Sequence, residues 1–279
     1  MSAAPQRDWL QDPALSLGWS VFETVGVSPS GALLELDLHL ERLKRSAEWL
    51  GRRAPARAEL EARLKRAAEL AALELDPEAT SPQLIALRYT LSVSGRDQIS
   101  HRLYSSDYIG SKLRVAPLLA PASPYLPRSV KHSCRAEWRA AARTFEVDEV
   151  LLCDERGELL EADQSSLCAL HQGRLIYPPL SDGRRLKSVG LTRLLRCAAE
   201  LGLPSLQSEL HLTDDHELLL LCSSLKGAAL AHLVGEGDPR LSECKRGLVG
   251  QRALSEVSAA SVEAWGAILA QLKGSMGLS

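Results

Sequence analysis

The sequence predicts an α+β protein of two domains, residues 1–120 and 129–279, joined by a linker at 121–128. Strand-like segments rich in β-branched residues are interspersed with amphipathic helical segments along the chain. The linker, PASPYLPR, contains three prolines in eight residues, and proline disfavours both helices and central strands. The part of the chain after the linker contains two further strand pairs of its own, which indicates a second domain.

The first domain is predicted to begin with a hairpin. The run GWSVFETVGV, 18–27, reads as a strand, SPSG as a turn and ALLELDL, 32–38, as the returning strand. HLERLKRSAEWLG then shows apolar residues at helical spacing and ends on Gly51, a typical helix stop. A second helix is expected over about 57–75, followed by the strands QLIALRYTLSV and SKLRVAPLLA.

The second domain is predicted to contain three helices and several strands. The hairpin EVLLCDERGELLEA turns at 155–157, and SLCALHQGRLIYPP forms another strand pair. HELLLLCSS reads as a buried strand. The expected helices cover about 133–144, a segment that begins near Gly190, and about 258–272.

Composition limits the classes of function. The chain has 279 residues, of which 45% are hydrophobic, so one large core or two ordinary cores can form. The net charge of −2 gives no electrostatic reason to expect nucleic acid as a partner. No apolar run reaches the roughly 18–20 residues that span a bilayer, and MSAAPQRDWLQDP has no apolar signal region. We therefore expect a cytoplasmic protein that binds neither membranes nor nucleic acid.

A metal site is not expected. None of the six cysteines forms a C-x-x-C pair, so reduced and mostly buried thiols are favoured over a disulfide frame or a zinc site. The segment HLTDDH has His211, Asp214, Asp215 and His216 as conceivable ligands. We favour an ordinary turn for this segment. His132 and Cys134, next to Lys131, are interpreted as neighbours of that lysine rather than as a nucleophilic pair.

An amine, a carboxylate and a helix start in the second half have complementary chemistry. Lys131 is predicted at the head of a helix, Glu161 at the end of an apolar strand, and Gly190-Leu191-Thr192 at a helix start, where free N–H groups favour anions. Each alone is typical of an ordinary surface position. Together they are the three needs of pyridoxal 5'-phosphate (PLP): an amine for the imine, a carboxylate for the pyridine nitrogen, and a phosphate cradle.

Five segments in order resemble a known family. They are FETVGV with LHLERLKRSAEWLG, then VKHSCR, VDEVLLCDERGELLEADQSS, GLTRLLRCAAELG and ELLLLCSSLKGAALAHLV. This pattern is similar to that of the class IV aminotransferases, PLP enzymes of fold type IV. The resemblance implies a D-amino acid aminotransferase-like two-domain fold and a homodimer. It implies that Lys131 forms the imine, that Glu161 meets the pyridine nitrogen, and that the phosphate is bound by Arg42, Leu191, Thr192 and Ser223 or, in preference, Ser224.

The substrate side departs from the family pattern. The usual Asn is replaced by Ser166, the "GDG" segment reads Gly18-Trp19-Ser20, and the strand-end "RG" reads Ser94-Gly95. The arginine of that "RG" often meets a substrate carboxylate. Arg88 and Arg96 are the candidates to replace it. Phe22 is a third candidate substrate residue, since D-amino acid aminotransferases tend to have tyrosine there.

The resemblance leaves the reaction open between members of the family. Arg135, four residues after Lys131, and the phenylalanine of FET resemble 4-amino-4-deoxychorismate lyase more than the other members. The lyase releases pyruvate and leaves 4-aminobenzoate for folate synthesis, with the lysine amine acting as general base and acid. The alternatives are a branched-chain or D-amino acid aminotransferase, and a relative that binds PLP without turnover.

Overall fold

The computed structural model describes residues 12–76, 83–123, 125–179, 183–212, 216–234, 237–241 and 257–278. Contacts within these ranges group the chain into two compact units. Unit 1 is the chain up to Tyr104 together with Val130–Arg135, and unit 2 is Ser105–Ser129 together with the chain from Ala136.

This division differs from the predicted domains at two places. The strand at Lys112–Leu119 belongs to unit 2, where it pairs with strands on both sides. Val130–Arg135 belongs to unit 1, because Phe22 N–H donates to the Lys131 carbonyl (3.0 Å) and Ser133 N–H donates to the Ser20 carbonyl (2.9 Å). The prolines interrupt secondary structure at 121–128, but the chain crosses between units before and after them.

Unit 1 is a three-stranded antiparallel sheet with helices packed against it. Its elements are α1 (Pro13–Ser16), β1 (Ser20–Val27), α2 (Leu36–Trp49), α3 (Arg57–Ala72), β2 (Gln83–Ser92) and β3 (Asp97–Ser105), and the strand order is β1-β2-β3. The predicted helices α2 and α3 and strands β1 and β2 are confirmed. A core cluster that includes Leu43, Leu60 and Leu87 joins both long helices to the sheet.

The predicted hairpin after β1 is wrong. Beyond the turn, only a single bridge joins Val27 to Leu33, and Glu35 has a left-handed backbone (φ 53°) from which α2 begins at Leu36. The true partner of β1 is β2, with Ser20 opposite Ser92. ALLELDL alternates apolar and polar residues as a strand does, but its last residues also fit the periodicity of the helix that follows.

Unit 2 contains an eight-stranded mixed sheet in the order β6-β5-β4-β11-β10-β7-β8-β9. Its strands are β4 (Lys112–Leu119), β5 (Glu149–Cys153), β6 (Leu159–Ala162), β7 (Ser166–His171), β8 (Arg174–Tyr177), β9 (Ser205–Gln207), β10 (Leu218–Ser223) and β11 (Gly227–Leu233), and its helices are α4 (Ala136–Thr144), α5 (Val189–Glu200) and α6 (Ala259–Ser275). The predicted hairpins, helices and buried strand are confirmed. The apolar faces of α5 and α6 form one core with β7, β10 and β11.

Among the described residues, no helix combines the length and the apolar character needed to cross a bilayer.

Candidate active site

Lys131 lies in unit 1 on an extended segment. Its backbone is held on both sides, since its carbonyl accepts from Phe22 N–H and its own N–H donates to Ser46 Oγ (3.2 Å). The predicted placement at a helix head is wrong, because α4 begins only at Ala136. The Lys131 Nζ lies 4.8 Å from the centroid of the Phe22 ring. The lysine is therefore fixed by β1 and α2 rather than by a helix of its own.

Arg42 is held by Glu23, which His39 also contacts, and sequence reasoning missed both residues. Its Nε and Nη2 donate to the two carboxylate oxygens of Glu23 (2.7 Å each), and His39 Nδ1 lies 2.7 Å from Glu23 Oε2. All three side chains are buried. Burial opposes ionisation of Glu23, but the Arg42 charge and the hydrogen bonds outweigh it and hold the pKa of Glu23 well below its usual range. The FET and HLER motifs thus fold into one buried ion pair that orients Arg42.

His132, the residue after Lys131, is buried as a neutral imidazole. Only 3% of its surface is exposed, and its ring packs 6.3 Å from that of Trp49. Burial, with the nearby Arg135 guanidinium, lowers the pKa of His132 to about 4. Because protonation then favours the unfolded chain, stability falls as the pH drops from about 6.5 towards 4.

Replacing His132 by phenylalanine is expected to reduce this acid sensitivity. A histidine with a pKa near 4 when folded and about 6.5 when unfolded costs about 2 kcal/mol of unfolding free energy between pH 7.5 and pH 5. The uncharged ring of H132F keeps the Trp49 contact and removes this contribution to the loss of unfolding free energy at pH 5. Urea unfolding followed by circular dichroism at both pH values checks this. An equal loss of stability in the two proteins would contradict it.

Arg88 lies beside Lys131, whereas Arg96 lies at the β2–β3 turn. The Arg88 guanidinium stacks 3.7 Å above the centroid of the Phe22 ring. Arg96 is exposed, and its charge acts on Asp12. Asp12 also accepts from Ser94 Oγ (2.6 Å), at the position where the family pattern has arginine. Of the two candidate arginines, the structure brings only Arg88 onto the ring that Lys131 also approaches.

Glu161 lies in unit 2, on β6, and is buried with 4% of its surface exposed. The Leu186 N–H donates a hydrogen bond to Glu161 Oε2 (3.4 Å). The segment before Leu186 is anchored by an ion cluster, because Arg184 and Arg185 both donate to the fully buried Glu158, Arg185 Nη2 at 2.7 Å. This cluster, which the sequence did not indicate, fixes the backbone that faces Glu161.

Ser188 caps the start of α5. Leu191 N–H donates to Ser188 Oγ (3.1 Å), and Thr192 Oγ1 donates to the Ser188 carbonyl (2.7 Å). The hydroxyls of Ser188 and Thr192 and the positive end of the helix dipole therefore lie together at this helix start, where they favour an anion. Binding to the Leu191 N–H requires Ser188 to release it.

Ser223 and Ser224 lie against the same helix start. A Cβ placed on Gly190 would lie 2.4 Å from the Ser223 carbonyl carbon, so only glycine permits this approach. Ser223 Oγ accepts from Lys226 N–H (2.9 Å), and the Ser224 carbonyl accepts from Arg193 (3.2 Å), which is almost completely buried. The structure thus brings Leu191, Thr192, Ser223 and Ser224 together at one place in unit 2.

Replacing Gly190 by alanine is expected to separate α5 from the end of β10. The contact is with backbone atoms, which cannot rotate away, so we expect a loss of about 2–4 kcal/mol of unfolding free energy and weaker PLP binding. Gly266→Ala, in α6 where a Cβ meets no atom within 4 Å, is the control and should be neutral or slightly stabilising. Urea unfolding and PLP titration of both variants check this; equal stability of G190A and the wild type would contradict it.

Within the described ranges, no group of three His, Cys, Asp or Glu side chains could hold a metal ion. Asp214 and Asp215 of the HLTDDH segment lie outside the described residues.

The side chains described above are of the chemical types that bind PLP. Unit 1 supplies a primary amine on Lys131 and a guanidinium on Arg42 that a buried carboxylate orients. Unit 2 supplies the buried carboxylate of Glu161 and a cluster of hydroxyls at a helix start whose close packing excludes even a methyl group at Gly190. These are the donor types that an imine, a phosphate and a pyridine nitrogen require.

Comparison with known proteins agrees with this chemistry. Residues 20–232 match the model of the family described as amino-transferase class IV. No curated protein matches the chain. The structure resembles a fold IV transaminase from Curtobacterium pusillum, with 20% identity, 97% of this chain and 91% of that chain covered, and a TM-score of 0.73. It also resembles the PLP-bound form of a hypothetical aminotransferase from Mycobacterium tuberculosis, with 21% identity, coverage of 98% and 94%, and a TM-score of 0.70.

A third similar structure is that of a proposed 4-amino-4-deoxychorismate lyase, with 26% identity, coverage of 90% and 96%, and a TM-score of 0.63. The α+β fold of this chain is therefore the fold of type IV PLP enzymes. Because the family model covers most of the chain, the protein belongs to the class IV aminotransferase family of PLP-dependent enzymes.

Proposed function

We propose that the protein is a 4-amino-4-deoxychorismate lyase that releases pyruvate and forms 4-aminobenzoate for folate synthesis. PLP, when bound, supplies an electron-accepting pyridine ring. In this proposal Lys131 forms the imine with the cofactor, and Glu161 keeps the pyridine nitrogen protonated. The proposed phosphate-binding residues are Arg42, Leu191, Thr192, Ser223 and Ser224.

Lys131 is also the proposed general base and acid. Its amine would take a proton from the substrate carbon that carries the amino group and give one to the leaving enolpyruvate, which becomes pyruvate. The fixed backbone on both sides of Lys131 keeps the amine within reach of one face of the substrate, which such proton transfer requires.

The proposed substrate is chosen on one observation, which is that Arg88 stacks on Phe22 beside Lys131. The guanidinium carbon lies 3.7 Å and the lysine Nζ 4.8 Å from the centroid of the same ring. An apolar ring with a cation on its face suits a cyclic substrate with a carboxylate. A branched-chain amino acid also offers one carboxylate to such a cation, but its aliphatic side chain cannot stack on the ring as a cyclic substrate does, so this arrangement favours the lyase over a branched-chain aminotransferase.

Parallel assays of pyruvate release and amino transfer test the proposal. We expect pyruvate to be released from 4-amino-4-deoxychorismate, measured with lactate dehydrogenase and NADH, and no amino transfer from D-alanine, L-glutamate or L-leucine. Amino transfer without pyruvate release would assign the protein to the aminotransferases. Neither activity in a PLP-loaded sample would favour a relative that binds the cofactor without turnover.

We also propose a cytoplasmic homodimer. The dimer is what the family resemblance implies. Sedimentation equilibrium of the PLP-loaded protein should give twice the chain mass of 30.3 kDa. A single-chain mass would contradict the dimer.

A further inference from the structure

The ring of His39 has one nitrogen that no other described residue contacts by a hydrogen bond. His39 lies on α2, and none of its surface is exposed. Its Nδ1 lies 2.7 Å from Glu23 Oε2, whereas its Nε2 has no hydrogen-bond partner among the described residues. A buried polar atom without a partner is unfavourable by about 1–3 kcal/mol, so a ligand that binds Nε2 would remove a penalty of the folded protein.

The ionisation of Glu23 determines the chemistry of this nitrogen. Because the pKa of Glu23 is held well below its usual range, its carboxylate is ionised and can only accept hydrogen bonds. His39 therefore carries its proton on Nδ1, and the Nε2 of the neutral ring is a lone pair. Burial lowers the pKa of His39, Glu23 opposes this shift, and the charges of Arg42 and Lys131 add to it. The ring is thus neutral while these are the charges that act on it.

Arg42 lies on the same face of α2, one turn after His39. Its Nη2 donates to Glu23 Oε2 (2.7 Å), the oxygen that His39 Nδ1 also contacts, so the two side chains converge on one atom. Side chains three residues apart on a helix are neighbours and can bind one ligand together. An anion bound by the Arg42 guanidinium therefore lies within reach of the His39 ring.

The balance of charge around His39 favours a doubly charged anion. Arg42 and Lys131 contribute two positive charges and Glu23 one negative charge, which leaves one positive charge in excess while His39 is neutral. A phosphate dianion reverses this excess to one negative charge, and protonation of His39 then restores neutrality. Compensation of this kind is strongly favoured where charges are buried.

We propose that His39 is a phosphate ligand in addition to Arg42. When PLP binds, Nε2 takes up one proton from solvent and donates a hydrogen bond to a phosphate oxygen. This inference rests on the proposed function, which places the phosphate of PLP at Arg42. Since the pKa of His39 is then higher in the bound than in the free protein, affinity for the phosphate falls as the pH rises through the pKa of the bound state.

Pyridoxine 5'-phosphate and pyridoxine, which lacks the phosphate, are the probes, because neither has the aldehyde that forms an imine. Calorimetric titration of the PLP-free, full-length protein in two buffers of different ionisation enthalpy counts the protons taken up. Asparagine can retain the hydrogen bond to Glu23 but lacks Nε2. His39→Asn should therefore take up about one proton fewer than the wild type and bind pyridoxine 5'-phosphate about 10- to 100-fold more weakly, with a much smaller change for pyridoxine.

His101→Asn is the matched control, because His101 is exposed on β3 and its Nε2 pairs with Glu74 (3.0 Å); it should match the wild type in affinity and proton uptake. His39→Gln supplies an uncharged amide in place of the ring and should recover part of the affinity without the proton uptake. Nitrogen-15 NMR of histidine-labelled wild type needs no variant fold: His39 Nε2 should be unprotonated in the free protein and protonated with pyridoxine 5'-phosphate.

Equal proton uptake by the wild type and H39N would overturn the inference, as would an Nε2 that stays unprotonated in the complex. Equal weakening of both probes by H39N would also overturn it, since the effect would then not depend on the phosphate. Absence of pyruvate release from 4-amino-4-deoxychorismate would instead overturn the proposed function, and the titrations would still decide the role of His39.

Discussion

Lys131→Ala is expected to lower the rate of pyruvate release by at least about 10³-fold. The substitution removes both the amine that forms the imine and the proposed general base, and no substitute is supplied by Ser46 or Phe22, the neighbours that hold and face the lysine. The visible absorbance of the imine should disappear from the variant. Its far-UV circular dichroism should be unchanged, since the contacts that fix this segment are made by its backbone.

Lys65→Ala is the matched control for this variant. Lys65 is exposed on α3 and, among the described residues, pairs only with Glu61, so its removal should leave both absorbance and rate unchanged. Pyruvate release followed over a range of substrate concentrations, with an absorbance spectrum of each protein, checks the prediction. A K131A protein that keeps a rate within tenfold of the wild type would exclude Lys131 as the proposed base.

Glu161→Gln is expected to lower kcat by about 10²- to 10³-fold while PLP affinity changes much less. Glutamine has nearly the same shape and fits the buried site on β6, but it cannot hold a proton on the pyridine nitrogen by charge. PLP remains anchored by its phosphate in this proposal, so the loss falls on the chemical step.

Measurement of kcat and of the PLP dissociation constant in E161Q separates these effects. Glu155→Gln, at the exposed turn of the same hairpin, is the control and should match the wild type in both. A reduced PLP affinity with an unchanged kcat would indicate that Glu161 serves binding alone.

Local patterns predicted much of the fold. The periodicity of α2, α3, α5 and α6 and the hairpins of unit 2 gave correct elements, because each depends on residues close in sequence. The pairing of β1 with β2 joins residues that are 58 to 72 positions apart in sequence, and it was missed in favour of a nearer partner. The strand β3 was also missed, since DQISHRLYS is largely exposed and has little apolar alternation.

The division into units could not be predicted from composition. Prolines at 121–128 indicate a break in secondary structure, but only hydrogen bonds to β1 place Val130–Arg135 in unit 1. The same bonds explain why Lys131 is not at a helix start.

Motifs indicated candidate site residues but not the contacts that support them. Lys131, Arg42, Glu161 and Thr192 were named from segments that resemble the family. Glu23, the partner of Arg42, and His39, which contacts Glu23, lie within the same motifs, but no sequence pattern identifies them as part of a buried ion cluster. The sequence could not decide between Arg88 and Arg96 as the substrate residue. The structure favours Arg88, because it shows Arg88 on the Phe22 ring and Arg96 near Asp12.

Borohydride reduction of the PLP-loaded protein, followed by peptide mass spectrometry, tests the role of Lys131 most directly. Reduction converts an imine into a stable secondary amine, so the cofactor marks the lysine that holds it. We expect a single pyridoxyl adduct on the peptide that contains Lys131. An adduct on another lysine such as Lys226, which lies near Glu149 in unit 2, or the absence of any adduct would contradict the account.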